Sequence, residues 1–409
     1  MTRRGTRGVG RLPVAPSDLG ARAPARSRIE VGGRVLFADQ SEVRLADAFA
    51  TVGVVGLDAS RVKVGDLVVV SGAWNGERLA GARLVEVFPC PEPTASGDFA
   101  RLSWNGVGLH LRARARALAT LRAYFDAQGF LEIDPPARVR APGVDLNVDA
   151  LRAEEGWLVP SPELSLKRLL VGGVPRLYSL SHAFRRDEQG ALHEPEFLLL
   201  EWYRAFAGQE AVLKDTEALV LAVAKALGGK PQLRAPDGRK LDVRPPFPRV
   251  TVRDAFKRFA GVSDATDLAA ADEDRYFRLL VERVEPELAR YDKPVFLCEY
   301  PLTQAALARP SPSDPRVAER FELYAGGVEL CNGYGELVDP VEQRRRFVAE
   351  RAERRANGRR VYPLAQRFLA ALEEGMPPSG GNALGVDRLI LLATGAKRIS
   401  DVIPEPWHR

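Results

Sequence analysis

Sulfur and imidazole are scarce in this chain of 409 residues: three cysteines, two methionines and four histidines. Cys90, Cys298 and Cys331 stand far apart, which excludes a disulfide scaffold and fits a reducing, cytoplasmic compartment. No CxxC or HxxxH spacing occurs, so a structural zinc site is not indicated. Long apolar runs are missing too. The longest, Ala218 to Ala224, has seven residues, against roughly 18 for a membrane-spanning helix, so no membrane partner is expected. An excess of one charge sign is absent from most of the chain. The net charge is +5, but residues 1–27 hold six arginines against Asp18 alone, and everything after them sums to zero. The folded part therefore shows no charge excess of the kind a broad nucleic-acid face carries.

What is present is ordinary globular material, 45% apolar and 28% charged, long enough for two or three domains. Residues 1–27, rich in Arg, Gly and Pro with no apolar core, read as a disordered tail rather than a secretory signal. Residues 28–89 contain five short alternating segments: RIEVGGRVLF, SEVRLAD, ATVGVVG, DLVVVSGAW and RLAGARLVEVF. Asn75-Gly76 marks a hairpin between the last two, and the set predicts a small all-β barrel of OB type. Residues 90–99 form a linker. From residue 100 to 409 the pattern is α+β. Leu111, Ala115, Leu118, Leu121 and Phe125 recur at helical spacing up to Gly129. Helices are also expected in residues 209–229, in 273–291 with a break near Pro286, and after Gly385.

Chemistry concentrates in Ser179 to Phe206, which reads as strand, charged loop, strand. On the second strand Phe197, Leu199, Glu201 and Tyr203 share one face at period two. A carboxylate between an aromatic ring and a phenol suits an amine ligand, and Arg185 in the loop suits a phosphate or carboxylate. Ser161 has no histidine near it in sequence, so a Ser-His triad is not suggested. Cys331 reads as a small buried thiol.

GFLEIDP (Gly129 to Pro135), AFRRDE…HEPEF and GNALGVDRLILLATG (Gly381 to Gly395) resemble motifs 1, 2 and 3 of class II aminoacyl-tRNA synthetases, in the right order over about 300 residues. SPELSLKRLLVGG (Ser161 to Gly173), EFLLLEWY and GVELCNGYGELVD (Gly327 to Asp339) narrow the resemblance to the lysine branch. Tyr300 to Tyr324 and Glu373 to Arg388 are similar to the elongation factor P β-lysine ligases within it, as are Ser161 and Ala383. The resemblance implies an antiparallel sheet with flanking helices, preceded here by the OB-like barrel, and a homodimer joined through the motif 1 proline. It also implies ATP and Mg²⁺ as cofactors. The implied nucleotide set is Arg185, Arg186, Asp187, His193, Glu194, Phe197, Glu329, Leu330, Gly385 and Arg388. Arg185 would clamp the α-phosphate, Arg388 the γ-phosphate, and Phe197 with Arg388 would sandwich adenine. Glu329 and Glu336 would hold Mg²⁺. The implied amino-acid set is Ser161, Pro162, Glu163, Glu201, Tyr203, Asn332, Tyr334, Glu336 and Ala383. The methyl of Ala383 stands where lysyl synthetases have glycine, and one carbon there is worth about 1–3 kcal/mol of discrimination.

Glu329 and Glu336 are seven apart, which a regular strand would place on opposite faces; Gly333 and Gly335 offer a place for a correcting bulge. Motif 2 departs from its usual Arg-x-Glu at Asp187, and Glu194 stands where Asn is usual. Arg186 is placed to compensate this extra charge near a triphosphate. The barrel, with seven basic and eight acidic residues, is a poor anticodon reader. The reading that follows is a ligase that activates (R)-β-lysine or lysine as an adenylate and passes it to a lysine of elongation factor P. A compact lysyl-tRNA synthetase, with tRNA as partner, and a synthetase-like regulatory subunit stand as alternatives.

Overall fold

The computed structural model describes residues 12–22, 27–143 and 148–407. It divides into two units, residues 1–112 and 113–409. In the first, β1 (Arg28–Ala38), β2 (Val43–Ala46), β3 (Thr51–Val54), β4 (Leu67–Trp74) and β5 (Arg78–Phe88) close a barrel in the order β1-β2-β3-β5-β4. Alternation dictates its interior: Val31, Val35, Val43, Leu45, Val52, Val54, Val68, Val70 and Leu79 all point inward. At the β4–β5 hairpin Asn75 Oδ1 accepts the backbone N–H groups of Glu77 and Arg78. Gly76 follows at φ +102°, a conformation that favours glycine.

One expectation for this unit changes, in the tail. Of the barrel's aromatic side chains, Trp74 packs in the core, while Phe37 is exposed beside Arg44. The tail is not structureless throughout. Val14 bridges to Val31, and Leu19, in the short helical turn Leu19–Arg22, is buried in the barrel core. The burial of this apolar side chain in the barrel's core cluster ties down a segment that composition alone reads as loose. The rest of the tail, residues 1–11 and 23–26, lies outside the described residues.

The second unit is built on one eight-stranded sheet in the order β9-β10-β11-β12-β13-β8-β7-β6. Its strands are β6 (Leu131–Glu132), β7 (Arg176–Phe184), β8 (Glu196–Ala205), β9 (Arg249–Thr251), β10 (Val295–Cys298), β11 (Arg320–Ala325), β12 (Val328–Gly335) and β13 (Ser379–Gly385). The six central strands are antiparallel, and β6 and β9 add one parallel strand at each edge. One face packs on α1 (Val107–Ala127), α3 (Gln209–Gly228) and α6 (Val386–Thr394) through Leu121, Phe125, Val212, Val220, Val223 and Leu389. Ala115 is exposed and Ala117 is buried instead, so the apolar stripe of α1 is rotated from the expected one. Buried Asp387 pins this layer. It accepts the backbone N–H of Leu198 at 2.8 Å and pairs with Arg114. On the other side lie α2 (Glu163–Val171), α4 (Pro340–Ala356) and α5 (Gln366–Gly375). Among the described residues no helix is long and apolar enough to cross a membrane.

Candidate active site

Strand alternation in β8 separates two environments. Leu198, Leu200 and Trp202 enter the core, while Phe197, Leu199, Glu201 and Tyr203 line a cavity of about 370 Å³. Its walls add Ser161 and Glu163 from the start of α2, Glu329, Leu330, Asn332 and Tyr334 from β12, Ala383 and Gly385 from β13, and Arg388 from α6. The three strands are in register, Ala383 opposite both Glu201 and Asn332. Gly381 clears the floor: a Cβ there would meet the Tyr203 ring at 2.3 Å and Glu336 Oε1 at 2.6 Å.

Beside the amino-acid wall two carboxylates clamp one ammonium, and a third stands near it. Lys167, 1% exposed, places Nζ 2.5 Å from Glu163 Oε1 and 2.5 Å from Glu336 Oε2. Its α2 position follows from spacing, since Glu163 and Lys167 are one helical turn apart. Glu201 accepts hydrogen bonds from the Tyr203 hydroxyl at 2.6 Å and the Ser161 hydroxyl at 2.7 Å. Burial and the neighbouring Glu163 nonetheless push its carboxyl up to about 8. Burial pushes Glu336 up to about 7 against the pull of Lys167, and its Oε1 has no hydrogen-bond partner. The net charge of this buried group is negative and incompletely compensated.

At the open end Arg185 lies over the Phe197 ring at 5.1 Å, and its buried Nε has no hydrogen-bond partner. Arg388 is held by the carbonyl of Glu329 at 2.9 Å and by Nε2 of His193 at 2.6 Å. Burial and Arg388 keep the His193 pKa below its ordinary value, which fits a neutral ring accepting from the guanidinium. Between the two ends, Glu322 on β11 accepts from Tyr300 at 2.5 Å, Tyr324 at 2.7 Å and Arg320 at 2.5 Å. It stands beside Glu329. That side chain is 41% exposed, yet its crowded surroundings and the charge of Glu322 raise its pKa, with Arg388 and Arg185 opposing. Glu285, behind them, is pushed up to about 7 by burial and by both carboxylates.

Several sequence expectations are corrected here. The bulge in β12 is at Leu330, between the pairs Tyr324–Glu329 and Leu323–Cys331, and not at the glycines. Gly333 instead makes room for the Phe321 ring, which a Cβ would meet at 2.3 Å. The bulge brings Glu329 to the parity of Asn332, Tyr334 and Glu336; the neighbouring charge that acts most on Glu329 is Glu322, itself engaged with Arg320, Tyr300 and Tyr324, while Glu336 pairs with Lys167. Arg186 and Asp187 do not line the cavity. They pair with one another at 3.2 Å with 49% and 80% of their side chains exposed, so Arg186 does not compensate Glu194. Asp187 sits at φ +62°, a left-handed turn position that a short polar side chain tolerates. Glu194 does line the cavity and accepts the backbone N–H of Trp407 at 3.2 Å. Pro162 is buried ahead of the first turn of α2 and leaves the wall to Ser161 and Glu163. Cys331 is buried with its thiol pKa raised, an inert packing group. Lys167, Arg320 and Glu322 were not singled out from sequence. The alternation of Arg320 and Glu322 in ERFELY, and the helical spacing of Glu163 and Lys167, were the signals available.

The family model for "tRNA synthetases class II (D, K and N)" matches residues 97–409. A protein of Edwardsiella ictaluri described as "Elongation factor P--(R)-beta-lysine ligase" is 39% identical over 308 residues, 72% of this chain and 94% of its own length. Proteins of the same description from Vibrio cholerae and Proteus mirabilis are 36% and 37% identical, each over 73% of this chain and 95% of their own. More than a quarter of this chain has no counterpart in them. The central antiparallel sheet, the carboxylate-lined cavity between its strands and these matches agree, and the chain belongs to the class II aminoacyl-tRNA synthetase family, among relatives that are elongation factor P β-lysine ligases.

Proposed function

We propose that this protein is an ATP-dependent ligase that activates a lysine-like amino acid, (R)-β-lysine or lysine, as an adenylate and joins it to a lysine side chain of elongation factor P. The observation that carries the reading is the trio Glu163, Glu201 and Glu336, the last two fully buried, beside a single Lys167. Buried charge is costly unless paired, and ammonium groups of a substrate supply the missing partners. Ser161 and Tyr203 hold Glu201 in place, and Asn332 stands in register across from Ala383, where it reaches the substrate carboxylate end. The methyl of Ala383 shapes the floor between them.

The reaction has two displacements. A carboxylate oxygen of the amino acid attacks the α-phosphorus of ATP, and pyrophosphate leaves. The amine of the acceptor lysine then attacks the acyl carbon, AMP leaves with the bonding electrons, and the amine loses a proton to solvent. The first step brings like charges together. Arg185, with its orphaned buried Nε on the cavity wall, is placed to neutralise the developing charge at the α-phosphate. Arg388 and neutral His193 are placed for the outer phosphates. Adenine stacked on Phe197 shares that ring with Arg185. A divalent cation fits Glu329, the partly exposed carboxylate, together with Glu322 once Glu322 exchanges its contact to Arg320 for the ion; the hard oxygens of both suit Mg²⁺. Among the described residues no third His, Cys, Asp or Glu converges there, so phosphate and water oxygens would complete its shell and its charge would offset that of the phosphates. For the assembled form we infer a homodimer through Gly129–Pro135, where Leu131 is 53% exposed.

The test is ATP–pyrophosphate exchange with (R)-β-lysine and with lysine, followed by mass spectrometry of elongation factor P. The expected gain is one lysine less water on a single acceptor lysine. Charging of tRNA without modification of the protein acceptor would replace this reading with a compact lysyl-tRNA synthetase.

A further inference from the structure

A fully buried lysine directly behind the wall of an amino-acid pocket needs a reason. Hydrophobic packing does not supply one, because Lys167 loses the solvation of its ammonium group. Its Nζ is held between carboxylates from two different elements, Glu163 on its own helix and Glu336 just after β12. The rings of Tyr203 from β8 and Tyr334 from β12 stand 5.8 and 5.9 Å from it and close the other sides. Glu201 faces it from β8, and Arg309 acts on Glu336 from beyond. The ammonium thus backs the carboxylates that the proposed substrate must reach, and it is tethered too tightly to leave as solvent-exposed lysines do.

Charge counting gives the consequence. With substrate bound, three ionised carboxylates and one internal ammonium leave two negative charges, the number that an amino acid with two ammonium groups neutralises; until then Glu201 still holds a proton at neutral pH, which the incoming ammonium displaces. Without the internal cation the carboxylates would hold their protons more tightly, in the acceptor positions that substrate amines need. Lys167 also bridges Glu163 and Glu336 and so holds their separation.

We propose that Lys167 is a positioning residue that sets substrate specificity: its ammonium, clamped between Glu163 and Glu336, fixes the charge and spacing of the pocket so that it takes a diammonium amino acid. This rests on the proposed lysine-like substrate and makes no contact with the reacting atoms.

The test uses the full chain, with ATP–pyrophosphate exchange measured from pH 6 to 9.5. Exchange by the parent with (R)-β-lysine or lysine tests the functional reading itself; its absence overturns that reading, and with it this inference. Given that activity, Lys167→Met keeps volume and removes charge. The expected result is a KM for the amino acid raised 10-fold or more at pH 7, with the KM for ATP and the kcat at saturating amino acid within a few-fold of the parent. The ascending limb of kcat/KM for the amino acid should also move to higher pH by about one unit, because the uncompensated carboxylates hold their protons longer. Lys167→Arg retains the charge and should keep the limb at its parental pH whatever its KM. A raised KM with an unmoved limb in Lys167→Met would mean a merely structural lysine and would overturn the proposal, as would a limb that moves equally in Lys167→Arg. If Lys167→Met does not fold, the arginine variant alone decides: a parental limb supports the charge role and a shifted limb refutes it.

Discussion

Glu201 should improve the substrate pocket at the expense of the fold, and Glu201→Gln separates the two effects. In the folded chain the carboxyl is 1% exposed and pushed up to about 8 from an ordinary 4.5. At and below pH 4.5 both folded and unfolded states hold the proton, and above about 8 neither does. Between those values the folded state keeps a proton that the unfolded state has lost, so stability falls as pH rises. At 1.36 kcal/mol per unit, the ceiling on the loss is roughly 3 kcal/mol by pH 7. The amide of glutamine cannot ionise, keeps the volume, and still exchanges hydrogen bonds with the hydroxyls of Ser161 and Tyr203. Glu201→Gln should therefore melt within a degree or two of the parent at pH 5 and several degrees above it at pH 8. The same change removes a charge-assisted contact to a substrate amine, about 1.5–3 kcal/mol, which is roughly 10- to 100-fold in kcat/KM for the amino acid. Melting curves at the two pH values and exchange kinetics at pH 7.5 measure both. A variant that is less stable than the parent at pH 8, or that retains parental kcat/KM, would refute the account of Glu201 as a strained, substrate-facing carboxylate.

Other expectations follow from the same geometry. Arg185→Ala should lower exchange by roughly 10²-fold or more, since it removes a contact to developing phosphate charge; an unchanged exchange rate would dismiss that role. Ala383→Gly should move the kcat/KM ratio toward lysine and away from (R)-β-lysine, because only the floor methyl is lost; a static ratio would remove Ala383 from the selectivity determinants. Glu322→Gln should raise the Mg²⁺ concentration for half-maximal exchange several-fold, while Glu336→Gln should leave it unchanged and raise the KM for the amino acid. The opposite pattern, read from Mg²⁺ titrations, would return the metal to the pair first expected from sequence.

The architecture was legible where local chemistry decides it. The five barrel strands came from alternation and from Asn75-Gly76, and the long helices from periodicity; Gly129 ends the first at positive φ, while the helix expected to close at Gly228 includes it and is capped one residue on by Gly229, at positive φ. The stripe of Phe197, Glu201 and Tyr203 was legible for the same reason, because a single strand decides which side chains share a face. Leu19 was not. Nothing in an Arg- and Pro-rich stretch says that one leucine will join the core of a barrel, since that burial depends on side chains from other segments.

The errors in the cavity have one common origin, which is register between strands distant in sequence. Glu322 and Glu329 lie on adjacent strands, and whether they meet depends on how β11 and β12 slide past each other. A one-residue shift exchanges the two faces. The extra residue, Leu330, sits upstream of the glycines and turns Glu329 onto the face that Asn332 and Tyr334 already share. Glycine suggests a bulge by conformational freedom, but Gly333 and Gly335 are needed for a different purpose, the close approach of Phe321 and Glu319. Conformational freedom and close packing demand the same residue, and sequence alone does not distinguish them. Lys167 was hidden by a related ambiguity. An i, i+4 Glu–Lys pair is the usual pattern of a solvated helix face, and only the arrival of Glu336 from the far side of the sheet turns that surface pattern into a buried counter-ion.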